Sequence, residues 1–183
     1  DIGVKQARKL LHSINGTDIV DRRDRAIVAI LIYTAVRVSA VAELEVADFF
    51  DTGDQYCLRF KEKGGKARQI PCRHDLQRFV LEYRSDAGIA EKKSPLFRTA
   101  AGRTKTLTDR GMTSGDIARM MKRRCQRVHL PLRFSPHSFR VSTITDLLAQ
   151  GVSLADVQQL AGHADPRTTR LYDRRQRQVC IRV

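Results

Sequence analysis

In the stretch HSFR a histidine and an arginine stand three residues apart, at His137 and Arg140. On a helix, positions three apart share a face, so an imidazole and a guanidinium there can serve one phosphate. The guanidinium fork matches two phosphoryl oxygens, and imidazole exchanges protons near neutral pH. Taken alone, the pair is a weak signal that a solvated helix face explains better. Downstream, LAGHADPRTTRLYD places His163 just past a helix end and Tyr172 nine residues later. A tyrosine becomes a nucleophile only if something takes its proton, since its reference pKa is about 10. Nearby cations and a base would do that. One further cation, Arg37, directly follows the most apolar run of the chain, Ala26–Val36. A charge beside the most buried segment needs a reason other than solubility.

The chain must position these groups within 183 residues, a length that suits one domain with a real core. Lys plus Arg number 34 against 20 Asp plus Glu, a balance of +14. So much positive charge repels itself in a compact domain and points to a polyanionic partner, most simply nucleic acid. The run MKRRCQR adds Lys122, Arg123 and Arg124 as candidate DNA-binding residues, of the kind that position a duplex without reading its sequence. The bland reading of that run is a solvated helix face. Cys57, Cys72, Cys125 and Cys180 form no CxxC and no zinc-like cluster, so no metal and no cofactor are expected. Cys57 and Cys72 could face each other across a hairpin. The apolar run is too short for a bilayer and the first residues lack a signal-peptide layout. A cytoplasmic protein without membrane contact is the expectation.

The pattern predicts a mainly α chain with one small antiparallel β-sheet, in the α+β class. Helices are expected over Val4–Leu11, from Thr17 or Asp18 to Thr34, and onward from Arg37 through VSAVAELEVADF. QYCLRFKEKGGKARQIPC reads as a β-hairpin with a basic turn at Gly64-Gly65, with Tyr56, Leu58 and Phe60 on its inner face. The residues Ala67, Gln69 and Pro71 alternate less cleanly. A helix follows over His74–Arg84, then a short extended piece at Pro95-Leu-Phe-Arg and a polar loop to Thr108. Thr113 or Ser114 starts the Arg/Lys-rich helix. Three capped helices close the chain: Ser135–Gln150, one begun by Ser153 and Asp156, and one begun by Asp165-Pro166.

With these elements in place, the residues resemble the tyrosine recombinases, the phage-type integrases and Xer-like resolvases. The resemblance rests on His137-x-x-Arg140, on Gly162-His163 at a turn, and on Tyr172 nine residues further. LIYTAVRVSAVAELEVADF is similar to that family's first box and puts its arginine at Arg37. RFKEKGGKARQIP is similar to its lysine-bearing β-turn and puts the lysine at Lys63. SPLF matches another family stretch. The resemblance implies the catalytic-domain fold of DNA breaking-rejoining enzymes and a catalytic set of Arg37, Lys63, His137, Arg140, His163 and Tyr172. In that set Tyr172 attacks the scissile phosphate and forms a 3′-phosphotyrosyl link. Arg37 and Arg140 hold the non-bridging oxygens, and Lys63 protonates the 5′-oxygen. His137 does acid–base work, and His163 hydrogen-bonds the phosphate. The basic turn adds Lys66 and Arg68 as candidate DNA-binding residues. No metal and no ATP are called for, because the covalent link conserves the bond energy.

The match departs at two places: the family's usual glycine before the hairpin lysine is Glu62 here, and its first box differs as well. The family's first box reads Arg-x-Ser-Glu, and here it is Arg37-Val38-Ser39-Ala40. Double-stranded DNA is the implied substrate and partner, with a homotetramer on paired sites for the full-length protein, in a prokaryotic cell or encoded by a mobile element. Residues 1–183 read as one catalytic domain, and the N-terminal domain that clamps DNA in relatives is expected to lie outside them. Three other readings compete: a DNA-binding module that lost activity, a type IB topoisomerase-like enzyme, and a zinc protein using His137 and His163. The complete catalytic set argues against the first, the tight Gly-His to Tyr spacing against the second, and the lack of convincing ligand spacing against the third.

Overall fold

The protein is described here from a computed structural model, which describes residues 3–61, 67–131, 134–162 and 166–171. The chain runs α1 (Val4–His12), α2 (Ile19–Thr34), α3 (Val38–Ala42), a 3₁₀ turn (Val46–Asp48), β1 (Phe49–Asp51), β2 (Tyr56–Lys61), β3 (Ala67–Pro71), α4 (His74–Ala87), β4 (Arg98–Ala100), β5 (Leu107–Gly111), α5 (Ser114–Arg127), α6 (Pro136–Ala149), α7 (Leu154–Ala161) and α8 (Pro166–Arg170). It is mainly helical with small antiparallel sheets, as the pattern predicts.

Helix α2 is the central element. Asp18 caps it, its Oδ1 accepting the Asp21 amide at 2.9 Å. The residues Ala26–Leu31 are each at most 1% exposed, so this helix is apolar on every side. It packs against α4, α6, α1 and α5. Its end is abrupt. Ala35 takes a left-handed conformation (φ 53°, ψ 21°), which costs a non-glycine residue roughly 1–2 kcal/mol. That turn ejects the chain from the core and places Arg37 at the N-cap of α3.

Three expectations are corrected. The helix expected after Arg37 is only Val38–Ala42 long, and VADFFD becomes a 3₁₀ turn and strand β1. There are two sheets among the described residues, not one: β1-β2-β3, and a β4-β5 hairpin where a polar loop was expected. In β3 the phase is the reverse of the alternation read along the sequence. Ile70 is buried opposite Leu58 and Arg68 lies opposite Phe60, while Ala67, Gln69 and Pro71 are exposed. The same register pairs Cys57 with Pro71, so Cys72 falls one residue out of line with Cys57. Burial pushes the Cys72 thiol up to about 12. The last helices are set by caps, with the Ser153 hydroxyl accepting the Asp156 amide at 3.1 Å and Gly162 left-handed (φ 62°) at the end of α7.

Candidate active site and cationic cleft

Arg140 is the point where the candidate site comes together. It lies on α6, one turn after His137, and is only 4% exposed. Burying a guanidinium is costly unless its donors are met. Here Nη2 donates to the Ala161 carbonyl at 2.7 Å and Nη1 donates to the Ala35 carbonyl. The first acceptor is two residues before His163; the second is two residues before Arg37. One side chain therefore joins three stretches separated by 105 and 21 positions along the chain. Thr143 adds a second tie between α6 and α2, its hydroxyl donating to the Ile32 carbonyl at 2.7 Å. Behind these contacts sits a small apolar cluster of Ala35, Ile144, Leu148, Val157 and Ala161.

Arg37 and His137 are both exposed. Neither side chain has a hydrogen-bond or ion-pair partner among the described residues. His137 lies in the first turn of α6, beside the positive end of a 14-residue helix. Arg37 and His137 are exposed donors, one two residues after the carbonyl that Arg140 holds and the other one turn before Arg140, and such open cationic groups can bind an anion. Ala40, where the resemblance departs, is half-buried and packs against the core. Lys63, Lys66, His163 and Tyr172 lie outside the described residues.

Two of the expected DNA-binding residues stand elsewhere. Arg124 is 8% exposed and belongs to a buried charge cluster. Its Nε and Nη2 donate to Asp24 Oδ2 at 2.9 and 2.7 Å, and Nη2 also reaches Asp21 Oδ1 at 2.7 Å. Asp24 Oδ1 accepts from Arg23 Nε and Nη2 at 3.0 and 2.7 Å. Burial works against the charged form of Arg124, but the facing carboxylates outweigh it and raise its pKa. Arg124 therefore holds α5 to α2. Arg68 donates through Nη1 to the carbonyls of Gln159, at 3.1 Å, and of Leu160.

Lys122 and Arg123 are exposed, as expected. The exposed cations of α5 make a helical stripe rather than a linear run: Arg119, Arg123 and Arg127 recur every four residues. They line an open cleft of ≈ 660 Å³ with Arg103, Lys105 and Arg110 from the β4-β5 side. Lys105 pairs with Asp18 at 2.8 Å and Arg119 with Asp116 at 2.6 Å. Arg103, Arg123 and Arg127 have no such partner among the described residues. The sequence run hides this cleft, because its other wall comes from the β4-β5 hairpin, where the pattern predicts a polar loop.

The sequence model of the phage integrase family matches residues 2–178. The chain belongs to the phage integrase family. This phage integrase family chain is 30% identical, over 93% of its length, to the tyrosine recombinase XerC of Pelobacter propionicus, of which it covers 54%. It is 32% identical over 93% of its length to the tyrosine recombinase XerD of Corynebacterium glutamicum, of which it covers 55%. The chain thus spans about half the length of the curated relatives it matches. Among solved structures it is similar to the XerA recombinase, with a TM-score of 0.77 at 21% identity over 99% of this chain and 63% of that one. It is also similar to the XerH site-specific recombinase in a post-cleavage complex with difH substrate, with a TM-score of 0.76 at 22% identity over 97% of this chain and 50% of that one. The phage integrase family fold is therefore the fold of this chain. Among the described residues, no helix is long and apolar enough to cross a membrane.

Proposed function

We propose that this chain is the catalytic domain of a site-specific DNA recombinase or integrase that cleaves and rejoins double-stranded DNA through Tyr172. The observation that carries the reading is the grip of Arg140 on the Ala35 and Ala161 carbonyls, which gathers the stretches bearing Arg37, His137 and His163. Three of the four tyrosines make poor nucleophiles, which supports Tyr172. Tyr83 is fully buried, and burial pushes it up to about 12. Tyr33 is raised to about 12 by burial and by the Asp75 carboxylate its hydroxyl donates to, at 2.7 Å. Tyr56 is half-buried and stacked on Phe49, with ring centroids 4.8 Å apart.

In the proposed step the Tyr172 oxygen attacks the scissile phosphorus and its proton passes to His137. The bond from phosphorus to the 5′-oxygen breaks, and that oxygen takes a proton from Lys63. Arg37, Arg140 and His163 stabilise the charge on the non-bridging oxygens; preorganised donors of this kind are usually the largest catalytic term. Reversal with a different 5′-hydroxyl rejoins the strands without a metal or ATP. Full-length protein acts on paired sites as a homotetramer.

The test uses the full-length protein and a nicked suicide duplex. A covalent protein–DNA adduct is expected, and after digestion the modified peptide should contain Leu171-Tyr172-Asp173-Arg174. No adduct, or an adduct on another peptide, overturns the assignment. The cationic cleft is proposed as a DNA-backbone interface, with Arg123, Arg127 and the neighbouring Lys122 on phosphates. Replacing both Arg123 and Arg127 with alanine should flatten the dependence of log K on log salt by about 2 units, close to one for each phosphate that is no longer neutralised. An unchanged slope removes those two arginines from the DNA interface.

A further inference from the structure

Helix α2 joins two places that can receive an anion. At its C-terminal end Thr34 precedes the left-handed Ala35, whose carbonyl Arg140 holds, and Arg37 follows two residues later. Thr143 ties the same end to α6 through the Ile32 carbonyl at 2.7 Å. At its N-terminal end the helix is fastened to α5. Arg124 Nη2 reaches Asp21 and Asp24 at 2.7 Å each. Its neighbour Arg123, and Arg127 one turn further on, are thereby held beside the first turns of α2. Asp18, Asp21 and Asp24 accordingly line the cationic cleft together with those two arginines. Between its ends the helix is enclosed, with every residue of Ala26–Leu31 buried. A helix packed on all sides and fastened at both ends has little freedom to bend. Its length therefore fixes the spacing between the cleft and Arg37.

From Asp21 to Thr34 the helix rises about 20 Å, at about 1.5 Å per residue. Arg37 stands just beyond, so the cleft and this arginine are about 20–25 Å apart. A duplex advances about 3.4 Å per base pair, and one running alongside α2 covers that span in about six or seven base pairs. We infer that α2 is a spacer that sets the cleft on DNA backbone about six or seven base pairs from the scissile phosphate of the same duplex. This rests on the proposed tyrosine cleavage, with Arg37 at the scissile phosphate, and on the cleft as a backbone interface. The charges of the cleft suit that role. Arg123 and Arg127 have no ion-pair partner among the described residues. The carboxylates of Asp21 and Asp24 beside them are already engaged by Arg124 and Arg23. A substrate must then stay paired for at least that distance on one side of the cut.

The experiment neutralises one DNA phosphate at a time. Full-length protein is bound to the nicked suicide duplex, on which the length of the released strand maps the scissile phosphate. Single uncharged methylphosphonates are then placed at successive positions on both strands, and binding is measured for wild type and for Arg123→Ala/Arg127→Ala. Neutralising a phosphate that meets the cleft should weaken wild-type binding by about 5-fold, the upper range for an exposed ion pair. The same change should have no effect on the double variant, which has already lost that contact. Positions that behave in this way are expected about five to eight base pairs from the scissile phosphate. Arginine-dependent positions lying elsewhere, or none at all, overturn the spacer role. If the double alanine variant does not fold by circular dichroism, Arg123→Gln/Arg127→Gln is read the same way. No adduct from the wild type on the unmodified duplex overturns the cleavage reading and the register with it, whereas wrongly spaced positions overturn the register alone.

Discussion

Arg140→Ala is expected to abolish detectable adduct formation and to lower stability by about 2–6 kcal/mol, because it strands two buried backbone carbonyls that each cost about 1–3 kcal/mol when unpaired. Those carbonyls, of Ala35 and Ala161, sit at fully buried residues with Ile144 and Leu148 packed beside them, which leaves little room for water to replace the guanidinium. The loss of cleavage has two sources. On the proposed mechanism a phosphate donor disappears, worth on the order of 10²–10³-fold in rate. The stretches carrying Arg37 and His163 also lose their common anchor. Arg140→Lys separates these effects. A lysine ammonium is a point charge and cannot span two carbonyls as a planar fork does. It should recover part of the stability and little of the cleavage. Urea denaturation and the suicide-substrate assay measure the two losses. Stability within about 1 kcal/mol of wild type for Arg140→Ala would contradict the anchoring role.

Asp24→Ala should be the most damaging substitution away from the site. One carboxylate serves two nearly buried arginines, Arg23 on Oδ1 and Arg124 on Oδ2. Removing it leaves two buried cations short of their counter-charge, and breaking even one such pair costs about 3–5 kcal/mol. Arg23 would keep a bond from Nη1 to the Arg98 carbonyl (2.9 Å), and Arg124 would keep Asp21. Neither interaction neutralises what Asp24 does. With a domain stability of about 5–15 kcal/mol, this variant is expected to be poorly soluble or to unfold at much lower urea. Arg124→Met should cost less, since it leaves the Asp24 carboxylate paired with Arg23. A midpoint for Asp24→Ala close to that of Arg124→Met would mean the cluster is not cooperative in this way.

The parts of the fold that local rules govern were legible. Asp18, Thr113, Ser135 and Ser153 each cap the helix that their side chains suggest, because a cap needs only its own three or four residues. What failed was set by distant neighbours. Arg124 looked like part of a basic run with Lys122 and Arg123, yet consecutive helix positions point 100° apart. It falls on the face of Ile117 and Met121, and Asp24, a hundred residues away, makes burial of its charge tolerable. Likewise, Arg68 took the inner phase of β3 because the carbonyls of Gln159 and Leu160 wait there. The left-handed turn at Ala35 had no glycine to announce it. At the site, spacing identified His137 and Arg140 as a pair on one helix, but gave no hint that one would be open and the other enclosed.

The grip of Arg140 on main-chain oxygens has an evolutionary corollary. Every residue type presents the same carbonyl, so the side chains at 35 and 161 can drift among small apolar types without disturbing the grip. Length is another matter. Inserting or deleting one residue within α7 would rotate its end by about 100° relative to its packed face and swing its carbonyls away. Across descendants of this sequence, substitutions should accumulate at the exposed positions of α6 and α7 while the residue count of each helix stays constant.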